Sequence, residues 1–274
     1  MRESVLDRAA MGTALITGAS AGLGLEYAKV FAADKHDLVL VARRRERLDQ
    51  LAAELAKAHG IKTLVVAADL QDPKAPQAIF DEVTKAGFDV EFLVNNAGFG
   101  SNGPFKKSEL DKELGQIQVN CSALLALTHL FLPKMLEKKR GRILNIGSTA
   151  GFQAGPYMAT YYATKAFVNS FSEALAYELR GTGITVTVSC PGATVTEFTQ
   201  VAKMEGVRLF KMGAMTAEDV VRDGYRAMHA GKVIAVHGFK NKLGVWSVPF
   251  TPRALLRAIV ASLNAVPEQK QLPS

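Results

Sequence analysis

Short apolar runs alternate with stretches of helical periodicity along nearly the whole chain. Ala14–Thr17, Leu38–Val41, Thr63–Ala67, Glu91–Val94, Arg142–Ile146, Ile184–Ser189 and Val233–Val236 read as strands. Helical patterns fall between them, at Leu23–Ala33, Glu46–His59, Ala75–Lys85, Ser108–Leu136, Ala159–Arg180 and Ala217–Ala230. In the second of these, Leu48, Leu51, Ala52 and Leu55 recur with the period of a helix. Strands that are apolar on both faces need cover on both sides. Right-handed crossovers then give an α/β fold with a doubly wound parallel sheet, whose ligands bind beyond the carboxyl ends of the strands. No linker, repeat or low-complexity segment breaks the pattern. Residues 1–274 are therefore expected to form a single domain, with its core over about 12–240.

Two stretches depart from the alternation. Residues 194–215 are too long for a tight connection and are expected to form a helical lid. The C-terminal extension, about 241–274, holds a segment from Leu243 to Ala265 in which Trp246, Phe250, Leu255, Leu256 and Ile259 are mixed with Arg253 and Arg257. An amphipathic helix of that kind packs on its own domain or on another subunit, or makes weak contact with a membrane surface.

Composition narrows the setting. With 48% hydrophobic and 22% charged residues the chain can bury a core, which excludes disorder. Two cysteines, Cys121 and Cys190, provide no disulfide framework. Glu3, Asp7 and Arg8 occupy the place of an apolar leader, and no run of about 18 apolar residues occurs. A reducing, cytoplasmic location is expected. The formal charge of +7 suits a polyanionic ligand or a solvated basic surface. Its short basic clusters, Arg43–Arg45 and Lys138–Arg140, come with no nucleic-acid-binding signature, so no nucleic-acid partner is expected. The five histidines and two cysteines form no ligand spacing, and no metal is expected.

The first strand runs straight into a helix through Thr17-Gly18-Ala19-Ser20-Ala21-Gly22-Leu23-Gly24. Glycines at 18, 22 and 24 permit a tight turn and close approach of the backbone to a pyrophosphate, which the helix N-terminus can bind. An acidic residue at the end of the second strand would select the ribose 2′-hydroxyl of NAD. The stretch there is Val41-Ala-Arg-Arg-Arg45, and a guanidinium such as that of Arg43 grips a 2′-phosphate instead. NADP(H) is the cofactor this turn predicts.

Tyr161 and Lys165 stand four apart at the start of an expected helix and share a face. Ser148 follows the fifth strand, at the end of the sheet where ligands lie. Together with Asp69-Leu70, Asn95-Asn96-Ala97-Gly98, Asn120 and Pro191-Gly192, these motifs resemble the short-chain dehydrogenase/reductase family in its shorter, Rossmann-type form, over about residues 12–240. The resemblance implies a catalytic set of Asn120, Ser148, Tyr161 and Lys165, with Tyr161 as acid or base. It also implies cofactor contacts from Gly18, Ser20, Ala21, Gly22, Leu23, Gly24 and Arg43 in the first half. Asp69, Leu70, Asn96, Ala97, Gly98, Pro191, Gly192 and Thr196 would add to these, with Tyr161 and Lys165 on the nicotinamide ribose.

Family likeness implies an NADPH-dependent oxidoreductase acting on a ketone, aldehyde, 3-oxoacyl group or the corresponding alcohol. It further implies a homodimer or homotetramer built through the two long helices. Apolar residues in the lid, Val195, Phe198, Val201, Val207, Leu209 and Phe210, suit a substrate with an apolar part. The alternative is a protein that senses NADP(H) without turnover, and the presence of both Tyr161 and Lys165 speaks for turnover.

Overall fold

The computed structural model describes residues 12–194, 197 and 214–265. Seven strands form one sheet: β1 (Thr13–Thr17), β2 (Asp37–Ala42), β3 (Thr63–Ala67), β4 (Val90–Asn95), β5 (Gly141–Ile146), β6 (Ile184–Cys190) and β7 (Ile234–Val236). They lie in the order β3-β2-β1-β4-β5-β6-β7, every pair parallel. This is the doubly wound, Rossmann-type sheet that the alternation predicts. The chain winds outward in one direction to β3, then returns across β1 to build the other half. The order therefore reverses between β1 and β4, and a crevice opens where the connections from those two strands part.

Helices α1 (Gly22–Ala33), α2 (Arg45–His59), α3 (Ala75–Lys85), α6 (Ala159–Glu178) and α7 (Ala217–His229) match their sequence patterns to within two residues. They cover the two faces of the sheet with separate cores. One gathers Tyr27, Phe31, Leu40, Leu48 and Val221; the other gathers Leu15, Ile79, Leu93, Phe131 and Ile143. Successive residues of β1 divide between them, Ala14 and Ile16 to the first and Leu15 to the second, as the period-two geometry of a strand demands.

The expected helix over Ser108–Leu136 is more articulated. α4 (Leu110–Ile117) passes through a widened π-turn (Gln118–Ala123) into α5 (Leu124–Lys138). One extra residue in that turn breaks the regular ladder and re-aims what it carries, here Asn120. Among the described residues Leu110–Lys138 is the one helical run long and apolar enough to span a membrane, yet half of its apolar window is buried. Its α5 part packs on α3, β4 and β5.

The C-terminal stripe also differs from a single helix. Pro249 and Pro252 divide it, because proline cannot continue the backbone ladder. The result is α8 (Phe239–Ser247), a 3₁₀ turn (Val248–Phe250) and α9 (Arg253–Asn264). Of the expected lid only its ends and Glu197 lie within the described residues. Those ends meet: Thr194 forms a parallel bridge with Met215, and the Met215 N–H donates to the Ala193 carbonyl at 2.9 Å.

Gly24 sets how closely α1 lies on β1, since a Cβ there would overlap the Gly18 carbonyl oxygen. That oxygen belongs to the backbone and has no rotamer by which to escape. Gly24→Ala is expected to push α1 outward and lower the unfolding free energy by about 1–3 kcal/mol, read from urea denaturation.

Candidate active site

A cleft of about 390 Å³ lies along the carboxyl ends of β1 to β6. Each of these strands delivers its following residues to the wall: Gly18 and Ser20, Arg43 and Arg44, Asp69, Asn96 to Phe99, Ser148, and Pro191.

At the β1 end the chain turns through Gly18 and Gly22, whose φ angles of 69° and 56° fall in the left-handed region that suits glycine. Ser20, Ala21, Gly22 and Leu23 line the cleft there. No side chain caps α1, so its first N–H groups keep their capacity for an anion. Beside this turn, Arg44 donates from Nε and Nη2 to Ser20 Oγ at 3.3 and 3.1 Å. Its Nη1 reaches Glu197 Oε2 at 2.9 Å, and Arg47 Nη1 reaches Oε1 of the same glutamate at 2.7 Å. The Arg47 hydrogen bond, with Arg44 beside it, holds the Glu197 carboxyl below the usual carboxylate range. Arg43 lines the cleft, but Arg44 is the arginine fastened to the turn.

At the β5 end Ser148 opens a 3₁₀ turn (Thr149–Phe152). Its Oγ accepts the Ala150 N–H at 3.0 Å and lies 3.4 Å from the Pro191 carbonyl. It is also hydrogen-bonded to the Tyr161 phenol. One helical turn further on, Lys165 Nζ lies 5.8 Å from the centre of the Tyr161 ring and donates to the Ile146 carbonyl at 2.6 Å. Burial lowers the lysine to about 8. The groups opposing that fall are the thiols of Cys121 and Cys190, which burial itself raises to about 11 and about 12. Among the described residues no carboxylate pairs with Lys165, so its charge is left to act on its surroundings. Burial raises the Tyr161 phenol too, and the bond to Ser148 opposes the rise.

Asn120 sits behind this pair. Its Oδ1 accepts the Phe99 N–H at 3.1 Å, while Nδ2 donates to the Phe99 carbonyl at 3.0 Å and to Thr164 Oγ1 at 2.9 Å. The loop after β4 is thereby tied to α6. A Cβ on Gly98 would meet Asn120 Oδ1 at 3.1 Å and Lys165 Nζ at 3.7 Å, so the two polar ends converge under that glycine.

The remaining sequence candidates divide in kind. Asp69 lines the cleft with Leu70, and its Oδ1 also accepts the Gln71 N–H at 3.0 Å. Ala97, Gly98 and Gly192 line the wall as well. The Asn96 side chain is committed to the fold, donating to the Thr17 carbonyl at 2.8 Å. Asn95 is buried away from the cleft, donating to Asn145 Oδ1 at 2.9 Å and Thr128 Oγ1 at 3.1 Å. Thr196 and the apolar lid positions lie outside the described residues. Also among the described residues, no group of His, Cys, Asp and Glu side chains is arranged to hold a metal ion.

Three contributors escape the sequence reading. Arg44 is one. The others are Tyr162 and Asn264: Tyr162 Oη donates to Asn264 Oδ1 at 3.2 Å, and Asn264 Nδ2 donates to the Pro156 carbonyl at 3.0 Å. Asn102 Nδ2 completes the knot with a 2.9 Å bond to the Asn264 carbonyl. This knot fastens α9 over the cleft, where Val260 and Leu263 form part of the wall. The signal was present as a polar residue four positions after Val260, on the buried stripe of an otherwise exposed helix.

The sequence model of the short chain dehydrogenase family matches residues 12–205. The chain belongs to the short-chain dehydrogenase/reductase family. Among its relatives is sulfoacetaldehyde reductase 2 of Chromohalobacter salexigens, 41% identical over 68% of this chain and 74% of that protein. Very-long-chain 3-oxoacyl-CoA reductase of Anas platyrhynchos is 35% identical over 72% of this chain. The match spans 65% of that relative's own length, so less than two thirds of it is represented. A solved short-chain dehydrogenase from Sphingobium yanoikuyae, in complex with NADPH, superposes with a TM-score of 0.79 at 32% identity. That likeness covers 94% of this chain and 100% of the other.

The Asn264 knot gives a direct test of what holds α9 in place. Asn264→Ala removes the partners of Tyr162 Oη and the Pro156 carbonyl, both part of a largely buried cluster. The expected loss is about 1–3 kcal/mol of unfolding free energy in urea, and Asn264→Asp should recover little of it because the Pro156 carbonyl would face an acceptor.

Proposed function

We propose that the protein is an NADP(H)-dependent oxidoreductase that reduces the carbonyl of a ketone, aldehyde or 3-oxoacyl group, or runs the reverse reaction. The observation that carries this reading is the meeting, in one cleft, of the uncapped glycine turn with the Ser148–Tyr161–Lys165 constellation. The reductase names of the two relatives and the NADPH bound to the solved neighbour support it.

The residues present fit a dinucleotide. Gly18 to Leu23 would hold the pyrophosphate on backbone N–H groups, and Asp69 with Leu70 would face the adenine. Arg44, and Arg43 next to it, would meet the 2′-phosphate, in place of the carboxylate that Glu197 now sets against Arg44. When bound there, a reduced nicotinamide supplies hydride to the carbonyl carbon.

The chain's own part is to place the carbonyl and move a proton. Ser148 Oγ orients the carbonyl oxygen by hydrogen bonding, next to the Tyr161 hydroxyl. Tyr161 gives its proton to the oxygen as negative charge develops there. A buried phenol is a poor acid, and the Lys165 ammonium corrects this by favouring the phenolate left behind. Asn120 positions that lysine's surroundings by bracing Gly98 and the start of α6. Phe99, Val119, Met158, Val260 and Leu263 along the cleft suit a substrate with an apolar part.

Assembly as a homo-oligomer through α4, α5 and α6 is supported by Leu110, Leu114, Ile117, Leu125 and Phe167, which these helices leave exposed.

Fluorescence titration with NADPH and NADH separates the cofactor reading from the choice of substrate. NADPH is expected to bind at least about tenfold tighter, a difference of about 1.4 kcal/mol. Arg44→Ala combined with Arg43→Ala should erase the preference, and equal binding of NADH by the unaltered chain would refute it. In a panel of carbonyl substrates, Tyr161→Phe should abolish turnover while NADPH affinity stays within about twofold, since the phenol hydroxyl is needed for the proton and not for the phosphate contacts. Turnover retained by that variant would remove Tyr161 from the role of acid.

A further inference from the structure

Residues 238–259 run across the surface without burying a single side chain. Neither α8 nor the 3₁₀ turn after it has a buried residue, and α9 buries only Val260 and Asn264 near its end. Yet the segment is strongly apolar: Phe239, Leu243, Trp246, Phe250, Leu255 and Ile259 are 45–80% exposed. Trp246 and Phe250 hold each other at a ring-centre distance of 5.0 Å while both remain in solvent. Helices normally bury an apolar stripe; these present theirs outward.

The charges within the segment are of one sign. Lys240, Lys242, Arg253 and Arg257 punctuate it, and no Asp or Glu occurs between Asp223 and Glu268. A second copy that docked this segment on itself by two-fold symmetry would bring the cations of one copy near the cations of the other, with no acid in the segment to relieve them. An anionic lipid surface satisfies both features at once, taking aromatic and aliphatic side chains at its interface and cations at its headgroups.

We propose that residues 238–259 dock the protein on an anionic bilayer surface. The docking face adjoins the cleft, because Val260 and Leu263, which wall it, follow directly on α9 after Ile259. The inference stands on the surface alone and does not depend on which reaction the cleft performs.

Trp246 is the chain's only tryptophan, so its emission reports on this face directly. The full chain would be mixed with vesicles of phosphatidylglycerol and phosphatidylcholine, and separately with phosphatidylcholine vesicles. Expected with the anionic vesicles are co-sedimentation, a blue shift of Trp246 emission, quenching by brominated acyl chains, and weakening with added salt. The variant Lys240→Gln/Lys242→Gln/Arg253→Gln/Arg257→Gln changes only exposed side chains and should lower the partition by about tenfold or more. Three results would overturn the proposal. Emission and sedimentation unchanged by anionic vesicles would do so. A blue shift that grows with protein concentration in the absence of lipid would assign the face to a second copy. Equal binding to both vesicle types, untouched by the four substitutions, would remove the electrostatic basis.

Discussion

Where β1 and β4 end and the cleft opens, one hydroxyl group ties the two departing chains. Thr17 Oγ1 donates to the Val94 carbonyl at 3.3 Å and accepts the N–H groups of Asn96 and Ala97 at 3.0 and 2.9 Å. These two strands are neighbours whose chains depart in different directions, so nothing in the sheet ladder itself fixes the spacing of the loops beyond them. Thr17 spends its one donor and two acceptor positions on that spacing and is left with no unused hydrogen-bonding capacity, while the Asn96 side chain returns the tie to the Thr17 carbonyl. The glycine turn and the Asn96–Phe99 loop face each other at a set separation as a result. Everything that lines the cleft downstream is referred to this pair.

The other constraint is electrostatic. Lys165 is a buried ammonium whose proton burial makes easier to lose, with a backbone carbonyl accepting from it and two thiols about it that burial holds un-ionised. A neighbouring carboxylate would have made this lysine easier to bury, and would also have offset its charge at a point 5.8 Å from the centre of the Tyr161 ring. At this point the fold tolerates a cation without a carboxylate partner among the described residues, at a cost to stability. Asn120 fits the same logic: it is neutral, satisfied by the backbone of Phe99 and by Thr164, and able to brace the site without adding charge.

Much of this was legible beforehand, and the reasons are local. Strands with continuous apolar runs and helices with a clean period declare themselves, and glycines at fixed offsets announce the turn they must make. Tyr161, Lys165 and Ser148 stood out because helical spacing and strand ends predict where side chains point. What stayed hidden depended on contacts distant in sequence. Arg44 and Arg43 are indistinguishable in a run of arginines until Ser20, on another strand's turn, selects one of them. Asn264 lies 102 residues from the Tyr162 hydroxyl it accepts. The π-turn at Gln118–Ala123 is invisible to periodicity, since one added residue disturbs the register too little to interrupt an apolar pattern.

The bridge between Thr194 and Met215 has a bearing on how such a protein could diversify. The bridge pins Thr194 to Met215, so the chain leaves and re-enters the described structure at one point. Closing a longer loop between the same two points adds only about 0.6 kcal/mol for each doubling of its length. The bridge thus acts as a socket: it fixes where residues 195–214 begin and end, and the Thr17 tie and the buried lysine both lie outside that span.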